Sequence, residues 1–99
     1  RQHFAYGQFL KDRYSQFINK TYDRRRVQIR STDYDRTLMS AYSLLAGLFE
    51  PFDYQKWNND LNWQPIPVHT TELKNDKIFY SNDCPKIKFL RSQVRKTTE

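Results

Sequence analysis

The sequence has 99 residues, with 17 Lys and Arg against 11 Asp and Glu and a formal net charge of +6. Only two Gly, four Pro and one Cys occur, which excludes a collagen, a low-complexity chain and a disulfide-stabilised miniprotein. The longest apolar run, Leu44–Phe49, is far too short to cross a membrane. Ala, Val, Ile, Leu, Met, Phe, Trp, Cys and Gly together make up about 32% of the chain, against about 45–50% in a typical globular domain. Aromatic residues make up 16%, which argues against disorder. The composition therefore predicts a folded chain with too few apolar residues for a large core of its own.

Both ends of the sequence look like cuts within a longer domain. Arg1 stands directly before a helical pattern without a capping residue, and the sequence stops at Glu99 without a Gly or Pro. We therefore expect the chain to be an internal fragment. No signal peptide is visible, and a chain cut at its N-terminus would not show one.

The first half of the chain predicts a helix, a strand and a second helix in that order. Apolar residues recur at helical spacing over residues 2–18, which indicates an amphipathic helix. Residues 27–30 alternate apolar and polar side chains, which favours a short strand. A second apolar helical face runs over residues 35–49 and is ended by Pro51. The predicted class is α/β.

The second half is predicted to be more irregular. Two prolines keep residues 64–70 extended, because each lacks an N–H donor and biases its predecessor away from helix. Residues 76–80 are consistent with a short strand. Cys84-Pro85 is a candidate start for a third helix.

The turn from the predicted strand into the second helix is a candidate anion site. Such a turn presents unpaired N–H groups and the positive end of a helix dipole. Arg36 lies in the first helical turn, where its planar guanidinium suits a phosphate group, and Arg30 at the strand end is a second candidate. Asp33 and Asp35 would repel an anion, but they could also cap the helix and orient the arginines. From spacing alone, ordinary surface pairs between these arginines and aspartates are the more common outcome.

The remaining motifs carry weaker signals. The run Arg24–Arg26 suits either a nucleic-acid contact or a solvated loop, and no regular stacking residues support the former. His3, His69 and Cys84 are too scattered to form a metal-ligand pattern, so neither a metal nor another cofactor is expected. Asn19 begins an N-glycosylation sequon, Asn-Lys-Thr.

Three longer strings together resemble a known family. GQFLKDRYSQFINKTY (7–22), RSTDYDRTLMSA (30–41) and LNWQPIPVHT (61–70) are similar to the histidine acid phosphatases of the prostatic and lysosomal type. The resemblance covers nearly the whole chain and implies that residues 1–99 are part of an α/β phosphatase domain. It also implies hydrolysis of phosphomonoesters: a histidine attacks the phosphorus, arginines hold the non-bridging oxygens, and a carboxylic acid protonates the leaving alcohol.

The resemblance assigns roles to individual residues. Arg36 matches the family's phosphate-binding arginine in the STDxDRT motif. Trp63 and His69 match dimer-interface positions, which implies a homodimer. Asn19 matches a glycosylated position, which implies a secreted or lysosomal protein. Cys84 matches a cysteine whose disulfide partner lies further along the full-length sequence.

The family's nucleophile and proton donor are missing from these residues. The nucleophile lies in an Arg-His-Gly-x-Arg-x-Pro motif and the donor in a His-Asp pair, whereas here His3 precedes Phe4 and His69 precedes Thr70. We therefore expect no turnover from the 99-residue chain alone. Tyr34 replaces a small aliphatic residue of the family motif, a change not expected to alter the site chemistry. Two alternatives remain open: a non-catalytic, phosphatase-like chain used for binding or dimerisation, and a basic nucleic-acid-binding module.

Overall fold

The computed structural model describes residues 1–79 and 84–97. Its regular elements are three α-helices and two single-turn 3-10 helices: α1 (Gln2–Arg13), α2 (Asp35–Leu48), Asp53–Gln55, Leu73–Asn75 and α3 (Pro85–Thr97). The predicted second helix is confirmed to within one residue. The third helix begins at Pro85, as predicted, where the missing N–H of a proline removes no helical hydrogen bond.

The first helix is shorter than predicted. α1 ends at Arg13, and the chain continues through tight turns in which the N–H groups of Phe17 and Ile18 both bond to the carbonyl oxygen of Tyr14. Phe17 is 89% exposed, so burial of this residue does not stabilise another helical turn. The prediction of helix to residue 18 was wrong because it counted Phe17 among the inward-facing residues.

The two glycines of the chain lie where α1 crosses α2. A side chain at Gly7 would overlap the carbonyl group of Leu44, and one at Gly47 would overlap the carbonyl group of Phe4. The backbones of the two helices are therefore in direct contact, a packing that only glycine permits at both positions. This crossing holds the C-terminal half of α2 against the N-terminal half of α1.

Two extended segments lie side by side next to α2: the first covers residues 27–31 and the second residues 64–71. Neither forms a strand. Arg30 and His69 make a single parallel bridge. The N–H of Ser31 donates to His69 and the N–H of His69 donates to Ile29, at 2.9 and 3.0 Å. The strand predicted over 27–30 is therefore not confirmed, because one bridge is the whole ladder within the described chain. The α/β class is supported only in its helical part.

The second predicted strand is not formed either. Residues 76–79 make a turn in which Asp76 Oδ1 accepts the N–H groups of Ile78 and Phe79, each at 3.0 Å. An aspartate that bonds the backbone two and three residues later favours a turn over a strand. The last residue of this prediction, Tyr80, lies outside the described residues.

The buried core is small, as the composition predicted. Leu45, Phe49 and Ile66 form the buried hydrophobic cluster of the described residues, at 4, 2 and 5% exposure. They join the C-terminal half of α2 to the extended segments, with partly buried residues around them: Ile18, Tyr22, Val27, Ile29, Leu48 and Val68.

The third helix stands apart from the other two. α3 packs against neither α1 nor α2, and Phe89, Leu90 and Val94 are 50–64% exposed. The Cα radius of gyration is 18.2 Å, against about 13 Å for a compact domain of this length. α3 contributes no buried residue, so the core lies between α2 and the extended segments, next to the turn that carries the arginines.

Candidate functional site

The turn that leads into α2 is fixed against the second extended segment. Ser31 is 7% exposed, and its N–H donates to the carbonyl oxygen of His69 at 2.9 Å. Its own carbonyl oxygen accepts a hydrogen bond from Thr70 Oγ1 at 2.9 Å. Both backbone groups of Ser31 are thus bound just before the chain turns toward the helix.

The N-terminus of α2 has no side-chain cap. The N-cap residue is Tyr34, whose side chain makes no capping hydrogen bond, so the expected capping by an aspartate of the turn is not found. Instead Thr32 Oγ1 donates to Thr37 Oγ1 at 2.8 Å, which closes the turn across the helix start. In the described chain no carbonyl group accepts the N–H of Asp35 or Arg36. These two donors and the helix dipole favour a bound anion at this end.

Arg36 presents its guanidinium group at this helix end. The residue is exposed, and Cζ lies 4.6 Å from the ring centroid of Tyr34. This cation–π contact orients the side chain without occupying its N–H donors. Within the described residues the guanidinium makes no ion pair and no hydrogen bond. Arg36 is therefore an oriented cation with its donors available.

Arg30 has a different environment. Its Nη2 donates to Thr71 Oγ1 at 2.9 Å and lies 3.7 Å from Asp76 Oδ1, while Cζ lies 6.0 Å from the Phe79 ring centroid. Its side chain is 36% exposed. The sequence did not predict this pairing, because Asp76 is 46 residues away along the chain. Neither Arg30 nor Arg36 forms the expected ion pair with Asp33 or Asp35 among the described residues.

Asp76 is the residue that sequence reasoning missed. Its side chain has no exposed surface, and Oδ2 has no hydrogen-bond partner in the described chain. The N–H of Phe79, with the N–H of Ile78 and the charge of Arg30, holds the pKa of this carboxyl below its ordinary value, although burial acts in the opposite direction. Asn75-Asp76 reads as an ordinary turn pair in the sequence, so no local signal distinguishes it.

Trp63 and His69 are both exposed. Trp63 is 40% exposed, and its carbonyl oxygen accepts the indole N–H of Trp57 at 2.9 Å, which closes the loop between them. His69 forms the bridge to Arg30 through its backbone, and the residue lines a groove together with Tyr22. The expected dimer-interface residues are thus both available to a partner.

The remaining candidates lie on the surface. Asn19 is exposed and lies in the irregular segment after α1, and Cys84 is an exposed free thiol directly before α3. In the basic run, Asp23 accepts the backbone N–H of Arg25 at 2.9 Å and its Nε at 3.3 Å. The carboxylate of Asp23 also lies 3.9 Å from Arg26 Nε, so two of the three arginines have a carboxylate neighbour.

Neither a metal site nor a membrane span is found in the part of the chain that the structure describes. No group of three His, Cys, Asp or Glu side chains there lies close enough together to hold a metal ion. None of the described helices has the length and apolar character needed to cross a membrane.

The chain is similar to known phosphatases along its entire length. The family model of the histidine phosphatase superfamily (branch 2) matches residues 1–99. Rat lysosomal acid phosphatase is 47% identical over 100 aligned residues, which cover 99% of this chain and 24% of that protein. Human lysosomal acid phosphatase gives the same values, and rat prostatic acid phosphatase is also 47% identical, with 26% of its length covered. The chain thus spans about a quarter of the length of these curated relatives, and it belongs to the histidine phosphatase superfamily, branch 2.

Proposed function

We propose that the protein containing this chain is an acid phosphatase that hydrolyses phosphomonoesters, and that Arg36 holds the phosphoryl group. The observation that carries this proposal is the state of Arg36: its guanidinium is exposed, stacked on Tyr34 and without an acid or carbonyl partner in the described chain. The family membership and the names of the relatives support the reaction class.

The geometry suits a doubly charged phosphate group. A planar guanidinium donates two parallel hydrogen bonds to a pair of phosphate oxygens. The unpaired N–H groups of Asp35 and Arg36 add positive potential at the same helix end. Donors fixed before the reaction stabilise the charge that spreads over the phosphoryl oxygens in the transition state.

The bond-breaking groups come from other parts of the protein. By the family resemblance, a histidine nitrogen forms a bond to phosphorus as the ester oxygen leaves, and a carboxylic acid protonates that oxygen. Water then cleaves the phosphohistidine to release inorganic phosphate. Acid pH suits this chemistry because the proton donor must stay protonated. The isolated 99-residue chain is expected to release no nitrophenol from nitrophenyl phosphate, and measurable turnover through a phosphohistidine would contradict this division of roles.

Replacement of Arg36 in the full-length protein tests the proposal. Arg36→Ala is expected to lower kcat/KM by roughly 10²–10³-fold, the usual cost of removing one preorganised donor. Arg36→Lys keeps the charge but loses the paired donors, so it is expected to recover only part of the activity. Arg24→Ala, which removes an exposed arginine from the loop before the first extended segment, serves as the matched control and is expected to be unchanged. Equal kinetics for Arg36→Ala and the control would remove the assignment.

We propose further that the full-length protein is a homodimer with Trp63 and His69 in the interface. Their exposure leaves them available for contact with a partner. Trp63→Glu would place a charge in that interface and is expected to shift the sedimentation coefficient to that of a monomer. A variant that sediments like the unaltered protein would contradict the assignment.

Glycosylation of Asn19 and a disulfide at Cys84 are also proposed, together with a secreted or lysosomal location. The relatives' names place them in lysosomes and prostate, and both side chains are exposed. Nucleic-acid binding by Arg24–Arg26 is not supported, because Asp23 already offsets part of this charge.

A further inference from the structure

The buried polar residues of the described chain are both linked to Arg30. Ser31 and Asp76 are the two polar residues buried among residues 1–79 and 84–97; Ser31 follows Arg30 in the chain, and Asp76 Oδ1 lies 3.7 Å from Arg30 Nη2. Burial of an ionised carboxylate is costly unless the carboxylate is paired and hydrogen-bonded. Among the described residues the hydrophobic cluster holds only three buried side chains, so a buried carboxylate there indicates a specific role rather than general packing.

Asp76 pairs with Arg30, the residue that forms the parallel bridge with His69. Asp76 Oδ1 accepts two backbone N–H groups, so the carboxylate itself is held in place. Arg30 Nη2 lies 3.7 Å from this oxygen and donates to Thr71 Oγ1 at 2.9 Å. The guanidinium is thereby directed toward the second extended segment and neutralised by a buried acid. A substrate anion would bind weakly to this arginine, because it would have to compete with the carboxylate of Asp76.

The same contact fixes the turn that leads to Arg36. Arg30 directly precedes Ser31, whose N–H and carbonyl groups are both bound to residues 69–70. Backbone and side-chain contacts together therefore hold residues 30–31 against residues 69–76. α2 begins four residues after Ser31, so the position of its first turn depends on how firmly Ser31 is held.

We infer that Arg30 and Asp76 are positioning residues for the phosphate site: their ion pair holds the turn that sets the place of Arg36, and neither touches the substrate. The inference rests on the proposed phosphate-binding role of Arg36. It assigns Arg30 a role different from the direct phosphate contact that the sequence suggested. A misplacement of about 1 Å in a preorganised group can cost up to about 10²-fold in rate, so a positioning pair has a measurable effect.

A double-mutant cycle in the full-length protein tests the inference. Asp76→Asn, a change of nearly equal shape, is expected to lower kcat/KM by roughly 10-fold when Arg36 is present. In the Arg36→Ala background the same change is expected to cost less than about twofold, because the group it positions is gone. Asp23→Asn is the matched control: it breaks another aspartate–arginine pair and is expected to have no effect in either background.

Each outcome has a distinct meaning. An equal loss from Asp76→Asn in both backgrounds would overturn the inference, because it would show an effect independent of Arg36, as expected if Arg30 bound the substrate directly. No loss with Arg36 present would also overturn it. If Arg36→Ala alone had normal kinetics, the proposed function would fail instead. If Asp76→Asn does not fold, Thr71→Val is the second variant, because it removes the hydrogen-bond partner of Arg30 and leaves Asp76 in place. Thr71→Val is expected to lower kcat/KM about threefold when Arg36 is present and to have a smaller effect in the Arg36→Ala background.

Discussion

Gly47→Ala is expected to destabilise the protein, although alanine is the better helix former. A Cβ atom at Gly47 would overlap the carbonyl group of Phe4 and lie 3.0 Å from the N atom of Gln8. Both neighbours are backbone atoms of α1, which cannot rotate away as a side chain would. The helices would have to separate by roughly 1 Å to restore ordinary contact distances.

The magnitude follows from two opposing effects. Overpacking of a close contact typically costs about 1–3 kcal/mol, and Gly→Ala within a helix recovers up to about 1 kcal/mol. Because the overlap is with backbone atoms, the upper end of the overpacking cost applies, and the expected net loss in the free energy of unfolding is about 2 kcal/mol. Gly7→Ala acts on the same crossing, so the double variant is expected to lose less than the sum of the two.

Urea unfolding of the full-length protein measures this effect. Met39→Ala is the control on the same helix, because Met39 is 67% exposed and its replacement is expected to change stability by less than about 0.5 kcal/mol. A Gly47→Ala protein as stable as the unaltered one, or more stable, would refute the direct backbone contact between α1 and α2.

Three further predictions concern individual side chains. The pKa of Asp76 is lowered in the folded protein, so the ionised carboxylate contributes fully to stability above its ordinary pKa of 3.8, and this contribution is lost as the pH falls through the lower folded pKa. The difference in the free energy of unfolding between the unaltered protein and Asp76→Asn should therefore be constant from pH 7 to 5 and shrink below pH 4. A constant difference down to pH 2 would argue against an ionised Asp76. Tyr34→Val removes the ring under Arg36, worth about 0.5–1 kcal/mol at an exposed site, and should lower kcat/KM by roughly two- to fivefold, because the tyrosine orients the arginine without changing the chemistry of the site. A loss as large as that of Arg36→Ala would show that Tyr34 does more than orient the arginine. Asn19→Gln should increase the electrophoretic mobility of protein made in a secretory host by one glycan, whereas identical mobility would show that the sequon is unused.

The sequence was sufficient where the signal is local. The apolar repeat and Pro51 placed α2 to within one residue, and Pro85 marked the start of α3. The long family strings alone are sufficient to identify the superfamily. The position of Arg36 in the first turn of α2 follows directly from these signals.

Contacts between distant residues could not be predicted. Arg30 pairs with Asp76 rather than with the nearer aspartates, because the chain folds residues 69–76 back against the first extended segment. Residues 27–30 have a strand-like pattern, but strand formation requires a ladder with a neighbouring segment, and the described chain supplies one bridge. The glycine crossing is likewise a tertiary feature, since a glycine inside a helical pattern gives no indication of what approaches it.

Competitive inhibition by inorganic phosphate tests the phosphate-binding role of Arg36 most directly, because it measures binding of the anion without the chemical step. The inhibition constant of the full-length Arg36→Ala protein is expected to be roughly 10–100-fold higher than that of the unaltered protein, as the loss of a charge-assisted hydrogen bond implies. An unchanged inhibition constant would show that the phosphate group is held elsewhere.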